Sequence, residues 1–547
     1  MKRNGMCPLC FLKKILVRPI RVKDIYSDNP YLNEAAKTPP MGWSSWNTFR
    51  NNIDQEVIYD IALAMKNTGL REAGYLYVNI DDNWVSSKRD EKGNLVGDLV
   101  RFADGIPSLV SKINKLGLKV GIYSSNGTLT CEDLPASLYN EKRDAETFAS
   151  WGIEYFKYDF CHNESISKYA PLIYGITLSK VGQREAKEYF TKDAMLKGYA
   201  KIMKNSDVPS GVMVTGLDEN AGIIEFSNIE ADSEGEYVLT IEIVKKGKFK
   251  KFLVAEINDT EEYHIYFPEQ KIWNHTARFQ TTVYLKKGIN TIKFYNPIRN
   301  NIDSAILQYR YMGKCLLDAA NKRALSQGEY KPITFSICEW GFRKPWLWGN
   351  SAGNLWRTTP DIRPIWSWIM TIYERNVKLY QYAGKGGWND PDMLEVGNGK
   401  LTKDENIAHF ATWCMMNAPL ILGNDLRIIT KDILDIVTNK DLIEINQDSL
   451  GKQAKRIKRG MLDILIKPLE NNRVAVCFLN KFGMQKKVSV NIKSILSDPY
   501  VKEVNLSEET SIYDVIEKKE SYGTKLTCAV NKHSAKVFIL GKPRQDS

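Results

Sequence analysis

A chain of 547 residues is too long for one ordinary domain, and two to four are expected. Its 43% hydrophobic and 11% aromatic content, with 13 Trp and 27 Tyr, can fill several cores and leave rings over for ligands. The net charge of +11, from 76 basic and 65 acidic residues, comes without a helix-turn-helix, zinc-finger or aromatic-basic RNA motif, which argues against nucleic-acid binding. No run reaches the ~20 apolar residues of a membrane-spanning helix.

At the N-terminus, Lys2 and Arg3 precede an apolar patch broken by Pro8, Lys13 and Lys14. That patch lacks the clean apolar core and small-residue cleavage site of a signal peptide. Nine cysteines in this length do not suggest a disulfide scaffold. Cys7-Pro-Leu-Cys10 has metal-ligand spacing but no second pair, so a zinc site is not expected.

After this extension (1–36), apolar runs alternate with amphipathic stretches. Met41-Gly42-Trp43 opens the series, and apolar spacing predicts a helix over 57–65. A strand at 75–80 follows, then a helix at 107–116, a strand at 118–123, a helix at 143–151 and a strand at 155–160. Such alternation predicts a parallel sheet with helices outside, and three strands end on polar groups: Asp81-Asp82, Tyr123 and Asp159. In a (β/α)8 barrel these ends would gather on one face. The first barrel part is placed at 37–185.

Beyond Cys161 the rhythm changes. Short alternating strands with turn signals, such as Gly222-Ile-Ile-Glu-Phe226, Gly235-Glu-Tyr-Val-Leu-Thr-Ile-Glu-Ile243 and 288–295, predict an all-β sandwich over 186–311. The insertion enters in the loop after the Asp159 strand and is expected to stand on that side of the barrel mouth. Helical spacing resumes at 312–324 and a strand at 332–338 follows, so the second barrel part is placed at 312–448. The tail, 449–547, is strand-rich at 461–466, 473–479, 487–492 and 535–540 and predicts a C-terminal antiparallel β-sandwich. No short repeat is visible.

Asp159 ends the run Tyr155-Phe-Lys-Tyr-Asp-Phe-Cys161, and Asp361 ends Trp356-Arg-Thr-Thr-Pro-Asp361. Two carboxylates on different strands, one ionised and one protonated, are the minimum equipment for cleaving a glycosidic bond. Taken singly, Asp81-Asp82 reads as a turn, Trp46 as core and Lys157 as an ion-pair partner. Lys157 lies two residues before Asp159, so a strand points both to one side, and its charge favours the ionised acid. His162 lacks a second ligand at suitable spacing and reads as a loop histidine. Asp390 and Asp392 read as structural groups near the barrel mouth.

Six runs occur in order: Met41-Gly-Trp-Ser-Ser-Trp-Asn47, Ile80-Asp-Asp-Asn-Trp84, Lys157-Tyr-Asp-Phe-Cys161, Cys338-Glu-Trp-Gly341, Trp356-Arg-Thr-Thr-Pro-Asp361 and Gly386-Gly-Trp-Asn-Asp-Pro-Asp-Met393. Together they resemble the motif set of glycoside hydrolase family 27, the α-galactosidases and α-N-acetylgalactosaminidases. The resemblance covers roughly 38–164 and 312–446, and the tail more weakly. It implies a retaining exo-acting enzyme without a cofactor, with Asp159 as nucleophile and Asp361 as acid and base. Chemistry asks for about 5–5.5 Å between such carboxyls.

The resemblance further implies that Asp81 and Asp82 hold the sugar's O4 and O6 hydroxyls, that Trp46 and Tyr123 wall the ring, and that Lys157 and Arg357 contact the sugar. Glu339 and Trp340 would face the 2-position, where a bulky acid favours a 2-hydroxyl and hence α-galactosidase over α-N-acetylgalactosaminidase. Cys131 and Cys161 match a family disulfide, which with the resemblance favours a periplasmic or secreted protein. The implied partner is a galactose-containing oligosaccharide or polysaccharide; homo-oligomerisation stays open. The alternatives are another family 27 α-glycosidase and a non-catalytic glycan-binding protein.

The inserted segment resembles carbohydrate-binding modules of the family 6 and 35 type, on Asp193-Ala-Met-Leu-Lys-Gly198, 235–239, 285–292 and Ile302-Asp303. Those modules open on carboxylates that help hold calcium; Phe190-Thr191-Lys192 stands there instead, which disfavours the ion. Tyr263, Tyr266 and Trp273 are its candidate glycan-facing aromatics.

Overall fold

A computed structural model describes residues 30–245, 249–269 and 275–541. Eight short strands form one parallel sheet: β1 (Met41–Ser44), β2 (Tyr77–Ile80), β3 (Lys119–Ser125), β4 (Tyr155–Asp159), β5 (Thr334–Ile337), β6 (Leu355–Arg357), β7 (Trp388–Asp390) and β8 (Leu420–Leu422). Their order is β7-β6-β5-β4-β3-β2-β1-β8. Leu394, just past β7, bridges in parallel to Leu422 of β8, so the two edges are joined. The result is the expected TIM barrel. Its strands are buried on nearly every residue, which is why they read as apolar runs without alternation.

The helices form where spacing placed them. Gln55–Asn67 buries Ile58, Ile61, Ala62 and Met65 on one face, and the Asp54 side chain caps it by accepting Val57 N. Glu141–Trp151 stops at Gly152, which takes the left-handed conformation with φ 83°. The C-terminal region forms a six-stranded antiparallel sheet ordered Lys455–Lys458, Leu462–Leu469, Arg473–Asn480, Ser534–Leu540, Thr510–Asp514, Lys519–Gly523. A two-stranded sheet, Lys486–Asn491 with Lys525–Val530, shares its hydrophobic core.

The chain divides into two compact units: one comprises the barrel and the C-terminal sheets, the other spans Glu164–Leu307. The second unit holds two antiparallel sheets, of five and six strands. Ile173, Ile176 and Ile241 of one sheet and Ile224, Leu253 and Phe294 of the other enter a single buried cluster. This unit begins at Glu164 instead of the expected 186, because Leu172–Lys180 pairs with Gly235–Lys245 across eight positions. It ends at Leu307 instead of 311, because Asn301–Gln327 is one continuous helix that begins before the predicted 312. On the barrel side the chain leaves at Asn163 and resumes at Gln308, and the Asn163 amide donates to Gln308 Oε1 at 3.0 Å. Cys7, Cys10 and Trp273 lie outside the described residues. Among those described, no helix is long and apolar enough to cross a membrane.

Candidate active site

Strand β4 runs beside β3 in a register that sets Tyr123 against Lys157 and Ser125 against Asp159. The period of two puts Lys157 and Asp159 on the same side, as the sequence requires. Asp159 is buried; its Oδ1 accepts Phe160 N at 2.8 Å and its Oδ2 lies 3.3 Å from the Tyr123 hydroxyl. Burial pushes its pKa up to about 6; the Lys157 ammonium opposes that rise and Asp361 adds to it.

Lys157 Nζ donates to Asp81 Oδ2 at 2.8 Å and stands 5.2 Å from the Tyr123 ring centroid. Burial disfavours its charge, but Asp81 and Asp159 outweigh that and hold the ammonium well above the ordinary lysine range. Asp81, at the end of β2, also accepts from the Ser44 hydroxyl at 3.2 Å. Asp82 is turned onto backbone: its Oδ1 accepts Asn83 N and its Oδ2 accepts Glu132 N. Burial lifts its pKa to about 7.

Arg357 ends β6, and one of its nitrogens, Nη2, is shared between Asp361 Oδ1 at 2.8 Å and Asp392 Oδ2 at 2.6 Å. The two acids differ in setting. The Asp361 side chain is 54% exposed and that of Asp392 is 8% exposed. Asp392, at φ 93°, also accepts Ile362 N at 2.7 Å, which pins the loop directly after Asp361. Burial raises the pKa of Asp392 to about 6 against the opposing Arg357 charge. Arg357 Nε is buried without an acceptor among the described residues.

Glu339 is fully buried, and its carboxylate folds back onto Arg343, accepting the backbone N–H at 2.9 and 3.0 Å and the guanidinium at 3.3 Å. Arg343 in turn lies 4.3 Å from the ring centroid of Phe160, the residue after Asp159. Trp340 follows Glu339 with φ 56° and packs edge-on against Phe342. Trp46 is half-buried at the start of the short helix Trp46–Phe49 that leaves β1.

Asp81, Tyr123, Lys157, Arg357 and Asp392 line one cavity at the barrel axis, together with Cys338. The structure thus brings residues of β2, β3, β4 and β6 to one cavity, whereas Trp46, Asp82, Asp159, Glu339, Trp340 and Asp361 are not among its lining residues. Ser44 and Arg343 escaped the sequence reading. Ser44 is an ordinary strand-end serine, and only the i,i+4 spacing from Glu339 could have singled out Arg343.

Cys131 and Cys161 form the disulfide that the resemblance implied, across 30 residues. Their sulfurs lie close to Asp159 Oδ2, but a bonded pair offers no thiolate and so makes no metal site. The bridge ties the loop after β3 to the end of β4, where the backbones nearly touch. A Cβ on Gly127 would stand 1.9 Å from Cys161 O. His162 pairs with Asp133 at 2.9 Å, consistent with a loop role. Replacing both cysteines by Ser is expected to lower stability by about 3–4 kcal/mol. Denaturant melts of the oxidised and Ser/Ser proteins with coincident midpoints would refute this.

The family model described as alpha galactosidase A matches residues 38–183 and 275–448. The model of the alpha galactosidase C-terminal beta sandwich domain matches 459–540. Alpha-galactosidase 2 of Arabidopsis thaliana is 30% identical over 93% of this chain and 90% of its own length. Alpha-galactosidase A of Cellvibrio japonicus is 33% identical, over 82% of this chain and 77% of its own. The crystal structure of alpha-galactosidase I from Mortierella vinacea superposes with a TM-score of 0.64 at 26% identity, covering 94% of this chain and all of that one.

Proposed function

We propose, for a chain that belongs to the alpha galactosidase A family and is an α-galactosidase, a retaining double displacement on terminal α-D-galactosyl residues. The observation that carries it is the contrast between two carboxylates. Asp159 is buried beside the Lys157 ammonium, and Asp361 stands open to solvent on Arg357.

In the first step an Asp159 oxygen bonds to the anomeric carbon as the glycosidic C–O bond breaks, and Asp361 gives its proton to the departing oxygen. Arg357 stabilises the carboxylate that Asp361 then becomes. In the second step Asp361 takes a proton from water, the water oxygen bonds to the anomeric carbon, and Asp159 leaves. Hydrogen bonds from Phe160 N and the Tyr123 hydroxyl hold Asp159 in one orientation throughout. Asp81 and Asp82 would accept from the O4 and O6 hydroxyls, with Trp46 under the ring and Trp340 and Glu339 on the side of the 2-position. Arg357 Nε is a buried donor that a sugar hydroxyl would satisfy. The Glu339 carboxylate is engaged by Arg343, so on this reading it would stand at that wall as a fixed acid, which favours a 2-hydroxyl over an N-acetyl group.

For Glu164–Leu307 we propose a carbohydrate-binding-module-like sandwich, supported by its two antiparallel sheets around one core. Lys192 lies against the Phe190 ring where such modules carry carboxylates, which speaks against calcium.

The test pairs two substrates and a pH series. kcat/KM on nitrophenyl α-galactoside should exceed that on the N-acetylated analogue by at least about 100-fold. It should also fall tenfold per unit as pH drops below about 6, because Asp159 must be ionised in the free enzyme to attack. Equal rates on the two substrates would overturn the specificity, and a flat acid side would overturn the buried nucleophile.

A further inference from the structure

The second unit carries an aromatic surface that nothing in the catalytic scheme uses. Phe249 is 59% exposed, although a phenylalanine in a folded chain ordinarily finds cover. It is not loose: its ring stacks on Tyr169 with centroids 5.0 Å apart and planes 22° apart. One face of Phe249 is therefore held by Tyr169 and the other is presented to solvent.

Three lysines surround the pair, and their states differ. Lys168 is 2.5 Å from Glu219 and Lys250 is 2.8 Å from Glu164, so both ammoniums are engaged at the rim. Lys251 is 8% exposed as a residue, its Nζ sits 5.1 Å from the Tyr169 centroid, and its side chain makes no ion pair or hydrogen bond among the described residues. Its ammonium is not among the buried unpartnered side-chain atoms, so the aliphatic stem is covered while the three N–H donors reach the surface beside the rings. Burial accordingly lowers its pKa.

A flat apolar face edged by N–H donors and carboxylates fits a pyranose. A hexose offers one patch of C–H groups to an aromatic ring and a rim of hydroxyls that both donate and accept. We propose that Phe249 on Tyr169, with Lys251 beside them, is a saccharide-binding platform of the second unit that takes a galactose-bearing glycan. The proposal rests on reading this unit as carbohydrate-binding, and it moves that role from Tyr263, Tyr266 and Trp273 to a different surface. In support, the Tyr263 hydroxyl is bonded to Tyr284 N, and Tyr266 packs on Phe252 and His264.

The experiment uses the full chain with its active site blocked by a fluorinated galactosyl inactivator, run in native gels containing galactomannan. The blocked wild type should be retarded, and Phe249→Ala should weaken that retardation by at least about tenfold, the scale of losing one aromatic anchor. Unblocked F249A should keep wild-type kcat/KM on nitrophenyl α-galactoside, which shows that it has folded. If F249A is retarded like the wild type, the platform is wrong while the carbohydrate-binding reading of the unit stands. If the blocked wild type is not retarded, that reading fails and the platform with it.

Discussion

Asp159→Ala is expected to keep its fold and lose at least about 10⁴-fold in kcat, the scale seen when a covalent nucleophile is removed. The retained fold follows from the linkage. Burial holds the Asp159 pKa at about 6, above its unfolded value, so at neutral pH the native state carries a charge it disfavours. The stabilising protonated form is complete below about pH 4 and is lost as pH rises through about 6. Removing the carboxylate removes that cost, and Lys157 keeps its 2.8 Å contact with Asp81. The melting temperature at pH 7.5 should therefore match or exceed wild type. Azide should restore part of the turnover by attacking the anomeric carbon from the vacated side, and the galactosyl azide formed should have inverted configuration. Activity within about tenfold of wild type without azide would end the assignment.

Arg357→Met is expected to be the most destabilising change in the site, by about 3–5 kcal/mol. The reason is the company that arginine keeps. It is itself buried, and its removal strands Asp392, which is 8% exposed and whose other contacts are with backbone N–H groups. Asp361 loses its anchor at the same time but is open to water, so its share of the stability loss is small. Activity and stability can then be separated. Adding Asp392→Asn should recover part of the stability, because the buried carboxylate stranded by the loss of Arg357 is gone, and should recover none of the activity. A single mutant melting at the wild-type temperature would refute the account, and so would a double mutant as active as the wild type.

The barrel was legible because its strands are buried on both faces and its helices repeat at 3.6 residues. Asp159 and Lys157 were legible as a pair because a strand period of two is a rigid constraint. The role of Asp392 was harder to see: its contact with Arg357 crosses from β7 to β6, and nothing local in Trp388-Asn-Asp-Pro-Asp392 reveals it. Glu339 was placed in the right loop, but its i,i+4 closure onto Arg343 is a turn geometry that composition does not encode. The start of the second unit was missed for a different reason. Leu172–Lys180 is buried on four consecutive residues, Ile173 to Ile176, so it lacks the alternation of the later strands and reads as one more barrel run.

Asn163 and Gln308 are separated by 145 positions in sequence and by one hydrogen bond in space. A detour whose two ends meet can be shortened, lengthened or swapped without rethreading the barrel, because the frame it interrupts is already closed behind it. The segment between them is thus a replaceable cassette, spliced into the loop after Asp159. An enzyme of this design can exchange that unit and keep what it cuts.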